Sequence, residues 1–400
     1  MIRRRTSHVV LSAGGTGGHM FPALALGEEL LGRGHKVSLI TDKRGLKYRK
    51  LFKGIKIYEV ESTTMAGKGI VGKILAIPKI IGGIFEAKSL LKVIKPGVVI
   101  GFGGYPSFPT IRAAISLNVP TALHEQNAVL GKVNRMMAKS VDAVALSFEK
   151  TKKTNWNDYG FVAVTGNPVR KEVVEIGDLY YPTLGDDRIF RILVIGGSQG
   201  AKVFSEVVPQ AISTLPRASQ RRLQVTQQCR EEDIEEVRAL YADTKIAVEL
   251  TTFIDDLPNC LRWSHLVIGR AGASTISELT TAGRPAILVP YPHATDDHQT
   301  ANADELVANG GAWLYQNHEF NAKTLAKVLQ RMARHPEEVW TAAEQSRKIG
   351  KPYAAKDLAD IVERLALVKG DPKAIRVNNV EEMNNKEEKE VKKEGLIAIR

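Results

Sequence analysis

Cysteine is nearly absent from these 400 residues. Cys229 and Cys260 form no Cys-x-x-Cys pair, so neither a zinc site nor a disulfide framework is indicated, and a reducing compartment fits. Long hydrophobic runs are missing too, and no stretch is long and apolar enough to span a bilayer. The apolar run from His8 to Ala13, behind the basic Met1–Arg5, stops at glycines too soon to be the core of a signal peptide. Aromatic residues make up only 6% of the chain. No aromatic platform or recognition motif accompanies the basic residues, which argues against a nucleic-acid partner.

What the chain does have is an uneven charge. The formal net charge is +12, and residues 1–100 hold 18 Lys/Arg against 6 Asp/Glu, while residues 201–400 hold 27 against 29. An excess confined to the first quarter points to an anionic membrane surface or an anionic substrate. The length exceeds one ordinary core, so two domains are expected.

Both halves open alike. His8-Val-Val-Leu-Ser-Ala13 reads as a strand that runs into Gly14-Gly-Thr-Gly-Gly-His19, followed by a helical pattern to about Gly34 and a second strand at Lys36–Ile40. Arg191-Ile-Leu-Val-Ile195 likewise enters Gly196-Gly-Ser-Gln-Gly-Ala201 and then a helix. Further strands are expected at 98–100, 121–123, 143–146, 266–268 and 286–289. Strands alternating with helices predict an α/β fold of two Rossmann-like domains, each a parallel sheet with helices on both faces. The boundaries expected are 1–168 for the first domain and 188–350 for the second. A C-terminal helix follows at about 351–368. Residues 369–400 form a charged tail that is expected to be disordered and is assigned no function.

A strand, a glycine turn and a helix start aim backbone N–H groups and the positive end of a helix at one point, which suits phosphate. Besides the loops at 14–18 and 196–200, Gly101-Phe-Gly-Gly-Tyr105 and Gly269-Arg-Ala-Gly-Ala-Ser274 have this form. The main rival is a nicotinamide or flavin enzyme, but the Gly-x-Gly-x-x-Gly fingerprint fails because Met20 stands at the third glycine position. Asp42, at the end of the second strand, keeps that rival open as a mimic of the ribose-binding acid. The Walker lysine is also missing.

Taken together the segments resemble the family of UDP-N-acetylglucosamine:lipid I N-acetylglucosaminyltransferases, the MurG family of peptidoglycan synthesis. The matching stretches are Gly14–His19 with Phe21-Pro22, Gly103-Gly-Tyr105, His124-Glu-Gln-Asn127, Gly166-Asn-Pro-Val-Arg170, Gly196–Ala201, Phe253-Ile-Asp255, Ser274–Glu278 and His298-Gln-Thr-Ala-Asn302. They keep the family's order from about residue 8 to residue 368, and the tail lies outside the match. The resemblance implies a two-domain B-type glycosyltransferase (GT-B) with its C-terminal helix packed back on the first domain. It further implies an inverting, metal-independent transfer of N-acetylglucosamine from UDP-N-acetylglucosamine to the C4 hydroxyl of the N-acetylmuramoyl unit of lipid I, giving lipid II. No Asp-x-Asp metal motif occurs in the sequence, in keeping with that, and no cofactor or metal ligand is expected.

The site residues follow by position. His19 is the preferred general base, since an imidazole titrates near working pH; the alternative is a histidine that merely caps the glycine turn. Glu125 is a second base candidate. Glu278, one turn into a helix start, is expected to take the ribose hydroxyls rather than only to face the helix dipole. Ser198 resembles the family's diphosphate contact; Arg170 is expected at the nucleotide end, the alternative being an ordinary surface arginine, and Ile254 is expected to present backbone atoms to uracil, the alternative being a plain core residue. Ala273, Ser274, Thr275, Ile276 and Ser277 form the helix start beside Glu278. Gln299 and Asn302 read the sugar hydroxyls, while Asp296 and Asp297 are left as helix-capping aspartates. Thr16, Gly17, Gly18 and Asn127 line the acceptor side of the cleft and complete the set around UDP-N-acetylglucosamine. Gly14, Gly15, Gly103, Gly104 and Tyr105 are expected near the pyrophosphate of the lipid.

Residues 70–94 carry two apolar rows ringed by lysines, with Pro78 expected to divide them into two short elements. Ile74, Leu75 and Phe85 with Lys73, Lys79 and Lys88 form the expected patch for anionic lipid. The resemblance places the enzyme peripherally on the cytoplasmic face of the plasma membrane, with cell-wall synthesis proteins as further partners. Other readings are a GT-B enzyme with a different acceptor, a nicotinamide oxidoreductase, and a non-catalytic nucleotide-binding membrane protein.

Overall fold

The computed structural model describes residues 6–62, 70–154, 159–184, 189–197 and 201–367, without the side chains of 70–74 and 76. The chain runs through β1 (His8–Ser12), α1 (Gly17–Gly32), β2 (Lys36–Thr41), β3 (Lys56–Glu59), α2 (Ile70–Ile94), β4 (Val98–Gly101), α3 (Gly104–Ser116), β5 (Thr121–Glu125), α4 (Lys132–Met137), β6 (Ala143–Leu146) and β7 (Phe161–Val164). These seven strands form one parallel sheet in the order β3-β2-β1-β4-β5-β6-β7.

A second series follows: α5 (Lys171–Gly177), β8 (Phe190–Ile195), α6 (Lys202–Ser213), α7 (Arg217–Gln220), β9 (Leu223–Gln228), α8 (Ile234–Ala242), β10 (Ala247–Thr251), α9 (Leu257–Trp263), β11 (Leu266–Gly269), α10 (Ala273–Ala282), β12 (Ala286–Leu288), α11 (His298–Ala308), β13 (Ala312–Leu314), α12 (Ala322–Arg334), α13 (Pro336–Lys348) and α14 (Ala354–Leu367). Its sheet is also parallel, in the order β10-β9-β8-β11-β12-β13. In each sheet the strand order reverses beside the first strand, between β1 and β4 and between β8 and β11. Ligands of open parallel sheets sit in the crevice at such a switch point.

The central strands are continuous apolar runs because helices cover both of their faces. Val9, Leu11 and Ile100 pack under α1, and Ile192, Val194 and Ile268 under α6. α5 packs against α9 and α10, and so belongs with the second sheet. α14 returns to the first sheet: Leu358, Val362 and Leu365 join the core of Val9 and Leu30, and Arg33 on α1 pairs with Asp360 and Glu363.

The segment 70–94 departs from its expectation, for α2 is a single helix that runs through Pro78. A proline removes one backbone hydrogen bond, and the helix beyond it is fastened by Ala87 and Leu91, both buried against α3. Several strands carried no clear apolar signature. β9 contains Gln227 and Gln228, which are buried by virtue of hydrogen bonds to the Phe204, Gly197 and Thr252 carbonyls. β3 and β10 lie at sheet edges, with side chains that are mostly half-buried or exposed.

Candidate active site

The first glycine loop is built by close approach. A β-carbon on Gly14 would lie 2.6 Å from Pro106 Cβ, so the loop can press against the start of α3 only as glycine. Asp42 fixes its shape. Oδ1 accepts the Gly15 N–H at 3.1 Å and the Gly45 N–H at 3.0 Å, while Oδ2 takes Arg44 Nε at 2.9 Å. A carboxylate so engaged is a loop brace, which removes the observation that kept a dinucleotide reading open. In the second domain Gln228 does the same work, accepting the Gly196 N–H through Oε1 and donating to the Gly197 carbonyl. Ser198 lies outside the described residues.

His19 lies in the first turn of α1, half-buried, with Nδ1 3.0 Å from Gln126 Oε1. Its Nε2 is 3.2 Å from where a β-carbon on Gly104 would stand, and Gly104 has φ +72°. The base candidate thus meets Gly103-Gly104-Tyr105 across the β1/β4 switch point. Thr16, exposed, is the N-cap residue of α1, and Gly17 and Gly18 open the helix.

Glu125, the second base candidate, is engaged on both oxygens. It is buried, Oε1 accepts the Asn127 N–H and side-chain amide at 3.0 and 3.2 Å, and Oε2 accepts the Gly131 N–H and Asn134 Nδ2 at 2.8 and 2.7 Å. These four donors tie the loop after β5 to it.

On the other side of the cleft Gly272 is the N-cap of α10. The first helical bond is Ile276 N–H to the Gly272 carbonyl, which leaves the N–H groups of Ala273, Ser274 and Thr275 without an acceptor in the helix. Ser274 Oγ is buried with no hydrogen-bond partner among the described residues. Ile276 is core, and Ser277 Oγ donates back to the Ala273 carbonyl. Glu278 Oε1 accepts from Arg170 Nη2 at 2.6 Å, and the Arg170 guanidinium lies 4.9 Å over the Phe21 ring. Burial pushes the Glu278 carboxyl above its usual range, and Arg170 opposes that rise. Ile254 is half-buried against the core that holds Leu261 and Ile276.

Gln299 Oε1 accepts the Tyr291 N–H at 2.8 Å. Asn302 is fully buried, and its side chain clasps the two domains: Oδ1 accepts the Ala128 N–H at 2.7 Å, and Nδ2 donates to Asn127 Oδ1 and the Ala271 carbonyl. It holds the walls of the cleft together here instead of facing it. Asp296 is more than a helix-capping residue, for it pairs with Arg135 at 3.1 Å and Lys153 at 2.6 Å, both from the first domain. Asp297 stays at the head of α11 and accepts Thr300 Oγ1 at 2.8 Å.

Two residues without a sequence-derived role stand in this site. Arg270, directly after β11, is half-buried without a carboxylate partner among the described residues; it donates to the Val289 and Pro290 carbonyls and Asn317 Oδ1, and lies over the Phe204 and Tyr291 rings. Gln126 touches His19. The available signal for it was the two-residue alternation at the end of β5, which puts His124 and Gln126 on one side and Glu125 and Asn127 on the other.

On α2, Leu75 and Phe85 are 67% and 66% exposed, with Ile77 and Ile81 also outward. Lys79 pairs with Glu61 at 3.5 Å, Lys88 is half-buried, and the side chains of Lys73 and Ile74 lie outside the described residues. No helix among the described residues is long and apolar enough to cross a membrane.

Comparison with known proteins bears on both halves. Residues 9–146 match the glycosyltransferase family 28 N-terminal domain, and residues 191–365 match the family's C-terminal domain. The chain is 51% identical over 356 residues, 89% of its length and 92% of the relative's, to a Zymomonas mobilis protein named UDP-N-acetylglucosamine--N-acetylmuramyl-(pentapeptide) pyrophosphoryl-undecaprenol N-acetylglucosamine transferase. A Brucella abortus protein of the same name is 41% identical over 361 residues, 90% of this chain and 94% of the relative. The crystal structure of Acinetobacter baumannii MurG superimposes with a TM-score of 0.70 at 32% identity, covering 89% of this chain and 99% of that one.

Proposed function

This chain belongs to glycosyltransferase family 28, and from that premise we propose how its two domains divide the reaction. The fold is the GT-B arrangement, and the enzyme is a hexosyltransferase. It moves N-acetylglucosamine from UDP-N-acetylglucosamine to lipid I, the N-acetylmuramyl-(pentapeptide) pyrophosphoryl-undecaprenol acceptor, and forms lipid II in peptidoglycan synthesis. The observation that carries this is the 51% identity over 89% of the chain to a relative bearing that name.

The donor is assigned to the second domain. Glu278 takes the ribose hydroxyls, Ile254 meets uracil and Gln299 the sugar. The N–H groups of Ala273, Ser274 and Thr275, which have no acceptor in α10, the Ser274 Oγ, without a partner among the described residues, and the half-buried Arg270 guanidinium converge where negative charge grows as UDP departs. Fixed donors of this kind stabilise a leaving diphosphate without reorganising during the step. The acceptor is assigned to the first domain, with its pyrophosphate along Gly14, Gly15 and Gly103–Tyr105. His19 Nε2 removes the proton of the C4 hydroxyl as that oxygen attacks the anomeric carbon from the side opposite UDP, which inverts the configuration. The exposed apolar face of α2 sets the enzyme peripherally on the cytoplasmic face of the plasma membrane, within reach of a lipid-tethered acceptor.

The test is transfer of labelled N-acetylglucosamine from UDP-N-acetylglucosamine to a lipid I analogue, with the disaccharide product identified by mass. Release of UDP without a disaccharide, or glycosylation of another acceptor in preference to lipid I, would overturn the assignment.

A further inference from the structure

His19 is the end of a buried hydrogen-bonded chain whose proton positions can be read from its two ends. At the far end, His124 Nε2 lies 3.1 Å from the Gly166 carbonyl oxygen, which can only accept, so Nε2 carries a proton. His124 is fully buried under the Phe102 ring, and burial lowers its imidazole to about 4. It is therefore neutral near pH 7, and its Nδ1 is an acceptor.

Gln126, 2% exposed, bridges the two histidines. Its orientation follows from a second carbonyl: Nε2 is 3.1 Å from the backbone oxygen of His124, so that end of the amide must be the NH2 group. The same nitrogen donates to His124 Nδ1 at 3.0 Å, in agreement with the tautomer fixed by Gly166. The amide oxygen is left facing His19 Nδ1 at 3.0 Å. An amide oxygen cannot donate, so the proton of a neutral His19 belongs on Nδ1 and its lone pair on Nε2.

We propose that Gln126 is a positioning residue for the transfer: its side-chain oxygen holds the His19 proton on Nδ1 and keeps the lone pair on Nε2, the nitrogen beside Gly104. Free histidine populates both tautomers, and only the one with an open Nε2 can accept a proton on the cleft side. The inference rests on the reading of His19 as the general base, but the tautomer itself can be measured apart from that reading.

The experiment is long-range proton–nitrogen correlation NMR on the nitrogen-15-labelled protein at about pH 8.5, above the ordinary imidazole range, with the His19 signal assigned from a His19→Gln sample. The wild-type ring should show a protonated Nδ1 and an unprotonated Nε2. Gln126→Leu should lose that preference, and its kcat should fall on the order of 100-fold while the donor KM stays within about 2-fold. Gln126→Glu still accepts from Nδ1 but no longer donates to His124, so it should keep the wild-type tautomer and most of its turnover at that pH. A wild-type His19 protonated on Nε2 overturns the proposal even if no Gln126 variant folds. So does a Gln126→Leu protein with wild-type tautomer and kcat, or a Gln126→Glu protein that fails as Leu does. If the tautomer is as stated and His19→Ala still turns over, the general-base reading fails and the tautomer assignment stands.

Discussion

Arg170 and Glu278 meet at 2.6 Å, with Arg170 lying over the Phe21 ring of the first domain and Glu278 rising from α10 of the second. The pair joins the domains, and the Arg170 charge opposes the burial that raises the Glu278 carboxyl. Its Oε2 has no hydrogen bond among the described residues, and this is the oxygen through which Glu278 can meet a ribose.

Glu278→Ala should therefore chiefly weaken the donor. Loss of a charge-assisted hydrogen bond costs about 1.5–3 kcal/mol, which corresponds to a rise in donor KM of roughly 10- to 100-fold. Steady-state kinetics with varied UDP-N-acetylglucosamine measures it, and an unchanged KM would leave Glu278 only the ion pair with Arg170.

The same residue gives donor binding a pH dependence. Burial raises the Glu278 carboxyl, so on acidification it takes up a proton earlier than an ordinary carboxylate. The ionised form is the better acceptor for ribose hydroxyls, so donor affinity should be full at high pH and fall as pH drops through that raised value. Calorimetric titration with UDP from about pH 8 down to about pH 5 should show the loss, and Glu278→Gln should flatten it. An equal slope in the Gln variant would assign the dependence to another group.

His19→Ala should lower kcat by about 10²–10⁴ with little change in donor KM. With Glu125 held by four donors, no second carboxylate of the sequence reading stands ready to replace it. Most of the turnover surviving in the variant would return His19 to a turn-capping role.

The parts of this molecule that were legible in its sequence are those where one local rule decides the outcome. Apolar runs that stop at glycine gave β1, β4, β8 and β11, since a strand covered on both faces needs an uninterrupted apolar run and a loop pressed against Pro106 needs glycine. What stayed hidden depends on partners distant in the chain. β9 puts Leu223 and Val225 into the core, but its second half is buried through glutamines, which no apolar pattern marks. The bracing contacts of Asn302 and Glu125 are hidden for a related reason, because a polar side chain in a site motif looks the same whether it faces a ligand or braces a loop. Asn302 becomes a clasp only when Ala128, 174 positions away in sequence, comes beside it. Pro78 was expected to break a helix, but tertiary packing at Ala87 and Leu91 carries α2 past it.

Activity should survive a chelator. The sequence has no Asp-x-Asp motif, and the donor side instead offers the start of α10 and the Arg270 guanidinium to a leaving diphosphate. Initial rates with and without EDTA test this. Complete loss, restored by magnesium or manganese, would show that an ion carries the leaving-group charge.

Helix α2 has a buried face and an exposed one. Its inner face is fixed in the core through Ala87 and Leu91, while Leu75, Ile77, Ile81 and Phe85 face outward at 48–67% exposure. Ile77, Ile81 and Phe85 recur every four residues and so form one stripe along the helix. An exposed apolar stripe on a helix with lysines beside it has the form of an interfacial membrane contact. Because these side chains do not support the core, Leu75→Ser with Phe85→Ser should leave the melting temperature nearly unchanged. Vesicle binding should nevertheless drop, since each large apolar group removed from water contributes about 1.5–3 kcal/mol. The lysines act through a different force. Each adds about 1 kcal/mol near anionic lipid and is screened by salt; Lys79, already paired with Glu61, should matter less than Lys88. Binding to anionic vesicles should thus weaken with salt without vanishing in the wild type, and nearly vanish at high salt in the double serine variant. Turnover on a long-chain lipid I should fall with vesicle binding, while turnover on a short-chain soluble analogue should hold, because the cleft is untouched. Equal loss on both acceptors, with a lowered melting temperature, would make the stripe part of the folded body and end its assignment to the membrane.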